Sequence, residues 1–83
     1  MIKYAIKLKN GQYARQNWDD STFKYIRLDE HDSPLYADFF DKDVAYRVLS
    51  EILSGNTNHM VLYNEFNPPI EVVALDINIK EIN

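Results

Sequence analysis

FFDKDVAYRVLSEILSG, residues 39 to 55, decides the fold, because it alone carries an uninterrupted helical apolar period. Val44, Ala45, Val48, Leu49, Ile52 and Leu53 recur at spacings that set all six on one stripe of a helix. Asp41 stands where an N-cap accepts a backbone N–H, Asp43 adds negative charge to the first turn, and Gly55 supplies the left-handed residue that ends a helix. The predicted helix is Lys42–Ser54, with Lys42, Tyr46, Arg47, Ser50 and Glu51 toward water. A helix of roughly 20 Å is marginal alone in water and needs a sheet to cover its stripe.

Upstream, residues 29 to 36 are acidic and interrupted by Pro34, which reads as a connection leaving the sheet, with Leu35, Tyr36, Phe39 and Phe40 anchoring it to the core. Ile2, Tyr4, Ile6 and Leu8 alternate with Lys3, Ala5, Lys7 and Lys9, the period of a half-buried strand with a basic outer face. Asn10-Gly11 predicts a type I′ hairpin turn. Residues 12 to 18 read as a second strand whose alternation favours neither face, residues 19 to 22 as a polar turn, and residues 23 to 28 as an aromatic third strand.

Downstream, residues 56 to 59 read as a loop and residues 60 to 66 as a short strand. Asn67-Pro68-Pro69 reads as a turn, since prolines donate nothing to a ladder. In the last strand Val73, Leu75, Ile77 and Ile79 face inward, and Val72, Ala74, Asp76, Asn78 and Lys80 outward. The expected fold is therefore α+β: a largely antiparallel sheet in the order β-β-β-α-β-β, with one helix packed on one face. The opposite face is left open and shows Lys3, Lys7, Val72 and Ala74, the natural place for a partner and for a symmetric homodimer.

The chain of 83 residues is a single domain with a small core, and at 46% hydrophobic it is too apolar for a disordered segment. It has no cysteine, hence no disulfide and no thiolate metal site. No run has the length of a membrane span and residues 1 to 4 lack the apolar core of a signal peptide, so a cytoplasmic location without membrane attachment is expected. Net charge is −4, unevenly placed. Residues 1 to 27 hold six cations against Asp19 and Asp20, a net +4, which leaves −8 on the remainder. Asp29, Glu30, Asp32, Asp38, Asp41 and Asp43 crowd into fifteen residues.

Asp29-Glu30-His31-Asp32 offers carboxylates and an imidazole, but it lacks the twelve-residue calcium-loop pattern and has too few ligands for zinc beside the distant His59. A solvated acidic loop is the plainer interpretation. Neither histidine stands in a nucleophile-elbow motif, and two glycines cannot build a phosphate loop, so no enzyme and no cofactor are expected. Lys3, Lys7, Arg15, Lys24 and Arg27 interleave with Tyr13, Phe23 and Tyr25 as a nucleic-acid platform would, but the −8 carried by the rest of the chain opposes phosphate approach.

The basic first strand running into Lys9-Asn10-Gly11-Gln12-Tyr13, the aromatic third strand, the Ala37 to Phe40 approach to the helix and the Val/Ile-rich last strand together span much of the chain. In these features the sequence resembles small uncharacterised proteins encoded by phages and prophages of low-GC Gram-positive bacteria. The resemblance implies a small non-enzymatic accessory protein of unassigned role in the producing or infected cell, and it transfers no catalytic or binding residue. Two functions follow as expectations. The first is a protein–protein interaction module using the open sheet face; the second is an acidic nucleic-acid mimic presenting Asp29, Glu30, Asp32, Asp38, Asp41 and Asp43 to a host enzyme's basic channel.

Overall fold

The computed structural model describes residues 1–18 and 24–78. Five strands and one helix follow in the order β1 (Ile2–Leu8), β2 (Tyr13–Trp18), β3 (Tyr25–His31), a 3-10 turn (Pro34–Tyr36), α1 (Lys42–Ser54), β4 (Met60–Leu62) and β5 (Pro69–Asp76). They form one α+β unit with a five-stranded sheet of spatial order β4-β3-β2-β1-β5. The sheet is mixed, which corrects the expectation of a largely antiparallel one: β4 runs parallel to β3. A parallel neighbour needs a long crossover, and α1 with its flanking loops provides it. No helix among the described residues is long and apolar enough to cross a membrane.

α1 begins after Asp41 and ends at Gly55, whose φ is +72°. Its stripe packs through Ile52, Val48 and Leu49 onto Ile6, Leu8, Ala14 and Leu28, with Phe40, Val61 and Tyr63 completing the cluster. Ala45 is fully buried, but Leu53 is 52% exposed and does not belong to the stripe. Asp41 caps without a side-chain hydrogen bond. Its Oδ1 instead takes the Lys3 ammonium at 2.9 Å.

The sheet is split between β1 and β2. These strands pair only at Lys7 and Tyr13, next to their turn, and then diverge. Residues 38–40 fill the gap. Phe40 bridges Tyr4 of β1, while on the other side the Asp38 N–H donates to the Ala14 carbonyl at 3.3 Å and Asp38 Oδ2 accepts the Gln16 N–H at 2.6 Å. Small side chains let these backbones approach, and Ala14 and Ala37 are buried there.

The turn after β1 is not the expected two-residue I′ type. The Gly11 N–H bonds the Leu8 carbonyl, and the Leu8 N–H bonds the Gln12 carbonyl, so Lys9, Asn10 and Gly11 form a three-residue loop with Gly11 at φ +87°. Buried Asn67 locks this loop to the one before β5. Its Oδ1 accepts the Asn10 N–H at 2.9 Å, and its Nδ2 donates to Gln12 at 3.4 Å.

Several expected boundaries move. β3 extends through Asp29, Glu30 and His31, beyond the expected end at Leu28, because residues 26 to 31 pair in register with β2. β4 stops at Leu62, and Pro69 opens β5 rather than belonging to a turn. A proline fits there because the first residue of an edge strand need not donate. The polar turn of residues 19 to 22, Phe23, Ile79 and Lys80 lie outside the described residues.

Candidate interaction surface

Cross-strand partners share a face of the sheet, so the register assigns sides. Val72 pairs with Ile6 and Ala74 with Tyr4. Both therefore lie on the α1 side, whereas Lys3 and Lys7, paired with Leu75 and Glu71, lie on the other. The expected patch of Lys3, Lys7, Val72 and Ala74 is thus divided between two faces. Val73 and Leu75, expected to face inward, are paired with Ala5 and Lys3 and lie on the face away from α1; within Pro69–Asp76 both alternating sets carry apolar residues, so a period of two does not separate the faces. The extra residue Ile70, inserted between the Leu8·Pro69 and Lys7·Glu71 pairs, accompanies the shift in register.

The face opposite α1 is not open either. Tyr36 stacks on His31 of β3 with ring centroids 5.4 Å apart, and Leu35 and Phe39 stand with Leu75 and Ile77 around one groove. The connection that the sequence sends away from the sheet folds back over it. Ala5, read as part of a basic outer face, is fully buried on this side. Leu35, Tyr36 and Phe39 do not anchor the core as expected, since all three are exposed and Leu35 is 83% so; of the four, Phe40 packs against the core cluster.

The groove, about 220 Å³, is walled by Pro34, Leu35 and Phe39 on one side and Leu75 and Ile77 on the other, with Asp76 and Asn78 at its rim. The slot is apolar on both walls, and Leu35, one of its wall residues, is largely exposed to water. A second cavity, about 250 Å³, lies where α1 ends near β4, lined in part by Glu51, Asn56, Asn58 and His59. There the His59 ring meets Trp18 edge-on at 4.4 Å.

Beside the groove runs the outer edge of β5. Tyr4 turns its N–H and C=O toward Phe40, so it makes no ladder bond with Ala74 across from it. The amide and carbonyl of Ala74 consequently point away from β1, as do those of Val72 and Asp76 by the same alternation. The Ile77 N–H, one residue out of phase, points inward to the Met1 carbonyl at 2.7 Å. Among the described residues no strand pairs with this edge.

The acids are dispersed. Asp29 and Glu30 are neighbours in a strand and project to opposite faces. Asp29 accepts from Asn17, Asp32 from Gln12, Asp38 from the Gln16 amide and Asp41 from Lys3. Glu30 and Asp43 are exposed. Lys7 lies over the Tyr13 ring at 5.1 Å. Among the described residues, no three His, Asp or Glu side chains gather closely enough to hold a metal ion. The backbone role of Asp38 and the free edge of β5 were missed from sequence, because both depend on which distant strand lies alongside.

The chain matches no protein-family model, and no curated protein and no solved structure shows a significant match to it.

Proposed function

We propose that this protein is a non-enzymatic protein–protein interaction module, a cytoplasmic accessory protein of the phage or prophage kind its sequence resembles. The observation that carries this reading is the groove of Leu35, Phe39, Leu75 and Ile77, an apolar slot bordered by a strand edge that no other strand among the described residues pairs with. A partner seats an apolar side chain in the slot and excludes water from Leu35, which is 83% exposed in the free chain. The acidic-mimic alternative has less support, because Asp29 and Glu30 face opposite ways and four of the six acids are already hydrogen-bonded within the chain.

The test is capture of partners from an extract of the encoding cells with the wild type and with Leu35→Asp. Loss of a partner in the variant, with folding unchanged, is the expected result. An identical set of partners from both proteins would remove the groove from the interface.

A further inference from the structure

The outer edge of β5 carries a specific geometry for self-association. Its outward N–H and C=O groups belong to Val72, Ala74 and Asp76, a ladder centred on Ala74. We infer that the edge pairs antiparallel with the same edge of a second copy, with Ala74 on the two-fold axis, giving one continuous sheet across the dimer. This rests on the interaction-module reading and names one partner for it.

Three features select this occupant and this register. Hydrogen-bond parity lets an outward residue face only another outward residue, so a register that sets Glu71 opposite Asp76 of the second copy makes no ladder bonds. The one symmetric register that uses all three outward residues of both copies sets Ala74 against Ala74 and Val72 against Asp76. In it Glu71 falls opposite Ile77, and no acid faces an acid. The residue on the axis is exposed and small, so two copies of it meet without obstruction. Finally, Val73 comes to lie beside Leu75 of the other copy on the groove side, an apolar cross-strand pair that lengthens the wall of the groove.

The edge has only partial protection against pairing. Pro69 and the bulge at Ile70 guard its beginning, while residues 72–75 are Val-Val-Ala-Leu with no charge. A ladder of this length buries little area, so the dimer is a weak, reversible one.

Sedimentation velocity of the full chain up to high micromolar concentration reads the proposal. The wild type should move from the 9.8 kDa species toward twice that mass. Ala74→Pro, which removes an outward N–H without touching a bond to β1, should raise the dimer dissociation constant at least tenfold while the circular dichroism stays native. If Ala74→Pro fails to fold, Ala74→Lys, which sets two ammonium groups together at the axis, serves for the same comparison. The chain has no cysteine, so register can be read by oxidation: Ala74→Cys should form a covalent dimer far faster than Leu75→Cys. A wild type that remains at 9.8 kDa throughout, or faster cross-linking through Leu75→Cys, would overturn the inference. The failures are separable. A strict monomer that still loses its partner with Leu35→Asp keeps the groove reading alone, and a dimer whose Leu35→Asp variant keeps every partner keeps the pairing alone.

Discussion

Tyr4 and Phe40 exchange both of their backbone hydrogen bonds, N–H to carbonyl at 2.9 Å one way and 2.8 Å the other. That exchange holds residues 38–40 in the gap between β1 and β2. It also fixes the phase of the β1·β5 ladder and so turns the amide and carbonyl of Ala74 outward. The short segment before α1 thus completes the sheet on one side of β1 and determines what the free edge offers on the other.

The Gln16 amide is satisfied by Asp38 Oδ2 at 2.6 Å in a part-buried setting. Asp38→Ala leaves that donor unpaired and should cost about 1 to 3 kcal/mol, read from the denaturant midpoint. Exposed Glu30, mutated to Gln, should change stability by less than about 0.5 kcal/mol. Equal effects would mean that Asp38 is not a structural acceptor.

Within α1, Ile52→Ala should cost about 2 to 5 kcal/mol, since Ile52 is 6% exposed and sits in the core cluster. Leu53→Ala, one position on, should be close to neutral. Chemical denaturation of the pair tests which face of the helix is buried.

Much of this was legible in the sequence where the signal is local. The bounds of α1 follow from its apolar stripe, Asp41 and Gly55, all within one segment. The end of β3 was not legible, because Asp29, Glu30 and His31 have loop-like composition and become a strand only through pairing with Arg15, Ala14 and Tyr13. The faces of β5 were not legible, since either alternating set could have been the core. Asp38 looked like one more surface charge because nothing in its neighbourhood announces a backbone amide twenty-two residues away.

Gly11 has open space where a Cβ would stand, so only its backbone conformation resists substitution. At φ +87° Gly11→Ala should cost about 1 to 2 kcal/mol, and Gly11→Asn less, because asparagine tolerates the left-handed region better. Thermal midpoints of the two variants give the comparison.

Asn67 is 6% exposed and ties the β1–β2 loop to the start of β5 through the Asn10 amide. Asn67→Ala should destabilise by about 1 to 3 kcal/mol and speed amide exchange at Asn10. Unchanged exchange at Asn10 would show that the two loops are not held together by this side chain.

The claim that the protein works through its apolar groove rather than its acids is tested most directly by titrating the captured partner at about 50 and about 500 mM salt, a range that shortens electrostatic screening lengths about threefold. Affinity should change less than about threefold over that range and be lost in Leu35→Asp, while Glu30→Gln with Asp43→Asn leaves it intact. Binding that survives Leu35→Asp, collapses at high salt and is abolished by neutralising Glu30 and Asp43 would contradict it.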